Sequence, residues 1–165
     1  MRERTLGMAM ALLLIAAPIF AQAQQKSAIE LTSIAQIEVV GKNAQGEKEV
    51  NLQEASLAKV VPGTIVIFTT RYVNTSKSPV NNVTIMNPVP EHMAYVDKSA
   101  EGKASRIDYS ADKGKTYAAL DKLTVKDSGK TRPAAAQDIT HIRWVLTAPL
   151  APGGAGTVSF RAQLK

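Results

Sequence analysis

Pro62-Gly63-Thr64-Ile65-Val66-Ile67-Phe68-Thr69-Thr70-Arg71-Tyr72-Val73 is the stretch on which the fold turns. A Pro-Gly turn opens it, and β-branched or aromatic residues then fill nearly every place up to Val73. Asn74 to Pro79 follows as a polar turn, so the run is bounded at a length that suits a strand and is short for a helix. Along an extended chain successive side chains face opposite ways. Val66, Phe68, Thr70 and Tyr72 therefore form one row, and Ile65, Ile67, Thr69, Arg71 and Val73 the other.

The same periodicity continues on both sides. Upstream, Ile29 to Val40 is rich in β-branched residues and ends at Gly41, after which Asn43 to Gly46 turns the chain into a short strand, Lys48 to Leu52. Gln53 to Lys59 is the one helix-compatible stretch, too brief to be more than a connection. Downstream, Val80 to Met86 alternates and stops at Asn87-Pro88-Val89-Pro90, where two prolines interrupt any ladder. Further strands are expected at Met93 to Val96, Arg106 to Ser110, Thr116 to Ala118, Leu123 to Val125, Thr140 to Thr147 and Thr157 to Leu164. Lys126 to Gln137 has little bulk and is expected to be a surface loop. No internal repeat or linker divides the chain. About nine strands sharing one two-layer core make an all-β domain, a β-sandwich.

Residues 1–23 have the form of a secretory signal peptide: basic Arg2 and Arg4, an apolar run from Leu6 to Phe20, and the small-x-small site Ala21-Gln22-Ala23. Residues 24–165 are expected as one exported domain, periplasmic or secreted, with no transmembrane segment after cleavage. The 165-residue chain holds no cysteine. That excludes disulfides, thiol nucleophiles, a lipidated cysteine and Cys-based zinc sites. A core of this size does without the staple, since a domain of about 150 residues buries roughly 68–70% of its unfolded surface. The net charge of +6 comes from 20 basic and 14 acidic residues. They are interleaved, as in Glu47-Lys48-Glu49, with no basic block, which argues against nucleic acid as a partner.

Residues with chemical potential are few. His92 and His141 are far apart in sequence, and Glu91 beside His92 points to the opposite face of an extended chain. Met86, His92 and Met93 are soft enough for copper, but a core Met93 in a short strand and a solvated His92 in a turn account for them better, and no metal is expected. No Gly-x-Ser-x-Gly elbow is present. Asp108 and Asp112 could pair as acid and base, yet Ser110-Ala111-Asp112-Lys113-Gly114-Lys115-Thr116-Tyr117 offers another explanation. It resembles the Asp-box, a structural hairpin element of sialidases and other β proteins. Asp112 would bond turn amides, Gly114 would take positive φ, and Tyr109 and Tyr117 would pack at the hairpin base. The aromatics Phe68, Tyr72, Tyr95, Tyr109, Tyr117, Trp144 and Phe160 mostly fall on strands, with Trp144 in phase with Ile142 and Leu146. They read as core rather than as a sugar-stacking platform. No cofactor is implied.

Pro62-Gly63 with its strand, Asn74-Thr75, Asn82 to Pro90, Tyr95-Val96, and Leu150-Ala151-Pro152-Gly153 with Thr157 to Phe160 together resemble the bacterial "conserved repeat" domain, also called domain of unknown function eleven. The likeness is strongest over residues 60–165. Thr64 and Asn87 stand where that family usually has Asp. The resemblance implies an immunoglobulin-like sandwich on exported or cell-surface proteins, with structural or adhesive roles and no active-site residues. By the family cadence the Val66 row faces the core. The other row is then apolar at Ile65, Ile67 and Val73, where an outward face should be polar. Either the segment Ile29 to Leu52 folds over it, or the strand is central and buried on both faces, or the row is an exposed association surface. The function expected is that of a non-catalytic structural or protein-interaction domain, its partners envelope or surface proteins or a second copy. A carbohydrate- or small-ligand-binding module is the alternative.

Overall fold

The computed structural model describes residues 27–165, so the expected signal peptide lies outside the described residues. Eleven strands follow in order: β1 (Ile29–Lys42), β2 (Lys48–Glu54), β3 (Ile65–Asn74), β4 (Thr84–Pro88), β5 (Met93–Tyr95), β6 (Glu101–Gly102), β7 (Ser105–Ser110), β8 (Thr124–Asp127), β9 (Lys130–Pro133), β10 (His141–Leu146) and β11 (Ala155–Leu164). The helical turns among the described residues are single 3-10 turns, at Ala55–Leu57, Leu120–Lys122 and Ala136–Asp138. The described residues are all-β, with eleven strands among them rather than about nine.

Every strand pair is antiparallel. One sheet runs β2-β1-β3-β11-β5, with β6 also on β11; a second runs β4-β10-β7; β8 and β9 form a separate hairpin. The two larger sheets share a core, giving a sandwich-like arrangement. Val158, Phe160 and Ala162 of β11 and Val66 and Tyr72 of β3 are buried from one side, and Ile85 of β4 with Ile142, Trp144 and Leu146 of β10 from the other. Phe68 stacks on Phe160 with ring centroids 5.0 Å apart, and Trp144 lies 6.4 Å from Phe160 across the interface. Each large apolar side chain removed from water here contributes about 2–3 kcal/mol before the entropy of ordering is charged against it. The Val66 row is thus the inward row, as the parity of β3 requires. The indole edge of Trp144 lies so close to Gly102 that a Cβ there would sit 2.6 Å from Cδ1. Only glycine permits that approach.

A buried amide ties the loops at one end of the sandwich. Asn74 is fully buried. Its Nδ2 donates to the Ser78 carbonyl at 2.9 Å and the Leu150 carbonyl at 2.8 Å. Its Oδ1 accepts from the Ser76 amide at 2.9 Å and the Ser76 hydroxyl at 2.7 Å. The backbone closes the same knot, with Asn74 N–H donating to Gly154 O and Gly153 N–H to Asn74 O, both at 2.9 Å. The turn after β3 and the turn before β11 are thereby one structure.

Several expectations need correction. Lys126 to Gln137 is not a plain loop: β8 and β9 pair through Ser128 and Gly129, both at positive φ, as a tight hairpin turn requires. Arg132 then anchors the hairpin to Asp138 with a bidentate pair at 2.7 and 3.0 Å. The strand expected at Thr116 to Ala118 is reduced to one bridge, Tyr109 to Ala118. Val80 likewise makes an isolated bridge, to Leu150, and the regular strand starts only at Thr84.

Candidate functional site

The described surface departs most from an ordinary soluble one along β1 and β2. Two interior features of β1 explain its length: it is rich in β-branched residues, and it serves two partners in succession. Ile29 to Ile37 pair with β3, and Gln36 to Lys42 pair with β2. From Glu38 onward β1 has β2 as its sole paired neighbour, so the end of the sheet is a two-stranded ribbon. Its loop is built by Asn43, whose Oδ1 accepts the amides of Gln45 at 3.0 Å and Glu47 at 2.9 Å, while Gly46 sits at φ 81°.

All seven residues of β2 are exposed. Directly opposed residues of an antiparallel pair share a face. Lys48, Val50, Leu52 and Glu54 therefore lie with Lys42, Val40, Glu38 and Gln36 on one face of the sheet, and Glu49, Asn51 and Gln53 on the other. The first face is the outward one, because Gln36 opposes Ile67 of the outward β3 row. On it Val40 is 64%, Val50 59% and Leu52 55% exposed.

The Ile65 row continues this surface. Ile65 is 41% exposed, and Ile67 and Val73 are half-buried. The segment Ile29 to Leu52 does not fold over the row; it pairs edge to edge with β3 and widens the sheet instead. Nor is β3 buried on both faces, although it is central in its sheet. What crosses the row is an ion pair between its flanking strands, with Arg161 of β11 donating to Glu38 of β1 at 2.8 Å. Both ends are substantially exposed, so its contribution to stability is small, about 0–1 kcal/mol. Ile65 and Ile67 join Val40, Val50, Leu52 and the exposed Ile34 in one outward strip. Val73 lies toward the far end of β3, opposite Glu30 and Ala155, and is outside it.

The loop at Asp112 is satisfied internally. Asp112 Oδ1 accepts the amides of Lys115 at 3.0 Å and Thr116 at 2.9 Å and the Ser110 hydroxyl at 2.7 Å; Oδ2 accepts the Thr116 hydroxyl at 2.6 Å. The Thr116 hydroxyl and amide, then Ser110, hold its carboxyl well below the usual carboxylate range. Gly114 is at φ 80°, and its amide donates to the Ser110 hydroxyl. Tyr109 is buried with its hydroxyl 3.3 Å from that of Tyr95, whereas Tyr117 lies half-buried beneath the Arg143 guanidinium, 4.3 Å from the ring centre. Asp108 is buried between two cations, accepting from Arg143 at 2.8 Å and from Arg106 at 3.2–3.3 Å. Burial alone would raise its pKa; the bonds from Arg143 and Arg106 outweigh that and lower it. Asp108 and Asp112 are thus committed to different partners.

Sequence reasoning missed that His92 and His141 line one open cavity of about 490 Å³, together with Met93, Lys113, Gln137 and Lys165. The pairing of His141 with Pro88 brings them there. Met86 is elsewhere, beside Tyr117 on the outer face of β4. A smaller cavity of about 270 Å³ lies between the inner faces near Phe68, Phe160 and Pro88. Its polar wall is a chain in which Asn87 Nδ2 donates to Thr70 Oγ1 at 2.9 Å, with Ser33 Oγ 2.8 Å beyond. Among the described residues no three of His, Asp, Glu or Cys gather at metal-binding distance, and no helix is long and apolar enough to cross a membrane. Compared with protein-family models, curated proteins and solved structures, the chain matches none.

Proposed function

We propose that this is an exported, non-catalytic domain of the bacterial envelope or surface that works by protein association, and that the ribbon with the adjoining Ile65–Ile67 face is where it associates. The observation that carries the reading is the exposed strip of Val40, Val50, Leu52 and Ile65 on one face of a sheet whose last strand has a free edge. Grouped apolar exposure on a soluble protein marks interaction surfaces, and a free edge offers main-chain bonds besides. Export rests on the form of residues 1–23, and an immunoglobulin-like reading of the sandwich on the motif likeness. Supporting the latter, Asn74-Thr75 and Leu150 to Gly153, distant in the motif, meet in one hydrogen-bonded knot.

A small-ligand module is the second reading, favoured by the cavity at His92 and His141. A sugar-stacking site has less behind it, because Phe68 and Phe160 are stacked on each other. A photo-crosslinking side chain placed at Leu52 in living cells, with Val145 on the outer face of the second sheet as control, separates these. Protein adducts at Leu52 and none at Val145 are expected. Absence of adducts at Leu52, Val40 and Ile65 alike would overturn the association reading.

A further inference from the structure

Building on the ribbon as an association surface, we infer that the partner of the β2 edge is a second copy of the same strand, paired antiparallel about Asn51 to join two sheets into one. The main chain presents the right groups. Asn43 N–H donates to Glu47 O, which makes 43 and 47 a hydrogen-bonded pair. Alternation down the ladder then turns the amides and carbonyls of Glu49, Asn51 and Gln53 toward β1, and those of Lys48, Val50, Leu52 and Glu54 toward the free edge.

A two-fold axis perpendicular to the sheet at Asn51 matches these outward residues with one another. Lys48 opposes Glu54 of the second copy, and Val50 opposes Leu52 of the second copy, each pair occurring twice. Up to about eight main-chain hydrogen bonds can form, two for each such pair. Both kinds of side-chain pair are the favourable cross-strand kinds, opposite charge and apolar with branched apolar. Shifting the register by two residues sets Lys48 against Leu52 or Val50 against Glu54, and shortens the overlap.

Two features of the single chain fit the same arrangement. Within the ribbon Lys48 opposes Lys42, a like-charge pair that is unfavourable by itself. Glu54 of the second copy would lie on the other side of Lys48 and supply the missing counter-charge. Edge strands are usually protected by proline, bulges or very short length. β2 has no proline or glycine, keeps a continuous register from Lys48 to Glu54, and carries Lys48 and Glu54 at its two ends, where they pair in the two-fold arrangement, with Glu49 opposite Gln53 of the second copy. The turn at Asn43–Glu47 and the 3-10 turn at Ala55–Leu57 bound the edge.

Sedimentation equilibrium of residues 24–165 across the micromolar range, with circular dichroism on each variant as a folding control, tests this. The wild type is expected to be a reversible dimer. Val50→Pro removes only an outward-pointing amide, so it should leave the fold and abolish the dimer. Lys48→Glu and Glu54→Lys should each weaken self-association by roughly tenfold or more. The doubly exchanged chain should recover the dimer, and an equimolar mixture of the two single variants should form a heterodimer. A wild type that stays monomeric, or a dimer indifferent to Val50→Pro and to the charge changes, would overturn the inference. A monomer that still gives adducts to another protein through Leu52 in cells would do so while leaving the association reading intact.

Discussion

Asn74→Asp changes one atom in a buried site that is fully used. The carboxamide makes four hydrogen bonds, and the two donated ones, to Ser78 O and Leu150 O, need the Nδ2 protons. An ionised carboxylate in its place offers no donor, and it would put negative charge within hydrogen-bonding distance of two carbonyl oxygens. Leu150 O keeps the Val80 N–H and Ser78 O the Ser76 hydroxyl, so what is lost is one bond at each carbonyl, about 0.5–1.5 kcal/mol apiece. The two lost bonds come to about 1–3 kcal/mol, and at neutral pH the burial of an uncompensated carboxylate adds to that, together a large part of the stability of a domain this size. The acid form restores one proton and hence one of the two bonds, so the penalty should fall to about 0.5–1.5 kcal/mol once the side chain protonates. Burial raises the pKa of the introduced carboxyl, so this should occur at a mildly acid pH. Trp144, the one tryptophan and fully buried, reports unfolding. Urea titrations of wild type and variant at pH 7 and pH 5, followed by its fluorescence, give the difference at each pH. Asn74→Ala, which also loses the accepted bonds but brings no charge, should show a penalty independent of pH. A loss below about 0.5 kcal/mol at pH 7, the level of an indifferent surface change, would refute the view that Asn74 joins the two turns.

Gly114→Val should lower stability by roughly 1–3 kcal/mol, since it forces a β-branched residue to positive φ, with its Cβ 3.1 Å from the Tyr117 hydroxyl. Asp112→Ala should lower the melting temperature without any dependence on calcium; a calcium-dependent rise in the wild type that the variant loses would make the loop a metal site. Asp112, Asp108 and Asp138 all have carboxyls held below their ordinary value in the fold. Below about pH 4 the unfolded chain therefore binds more protons than the folded one, so stability should be level above about pH 5 and fall as the pH drops through this range. Mass spectrometry of the exported protein should find Gln24 at its N-terminus; an intact Met1 on that form would end the secretory reading.

Strand parity was readable in β10 and β11, which place apolar residues on the side that a single core demands, whereas β3 is apolar in both rows and its inward row rested on the motif likeness. Ile142, Trp144 and Leu146 are buried as their spacing indicates. The β8–β9 hairpin was not readable in that way, since Lys126 to Arg132 is polar on both faces. Turn chemistry at Ser128-Gly129 and the Arg132–Asp138 pair hold it, not burial. The Asp112 loop was legible because a local motif fixes it within a few residues. By contrast, whether the Ile65 row is covered depends on which strand lies beside β3 and how, and that is a matter of sheet order rather than of local pattern. The meeting of His92 and His141 was hidden for the same reason. The free edge of β2 follows from its place at the end of the sheet, although its opposed end charges stand in the sequence.

The most direct test of the ribbon as the place of association is residue-resolved amide hydrogen exchange along β2 as the concentration of the 24–165 chain is raised. The amides of Glu49, Asn51 and Gln53, bonded to β1, should be protected throughout. Those of Val50 and Leu52, which face the free edge, should exchange fast in dilute solution and slow together as the protein associates. Fast exchange of Val50 and Leu52 at every concentration, with association nonetheless observed, would contradict the account and place the interface on another surface.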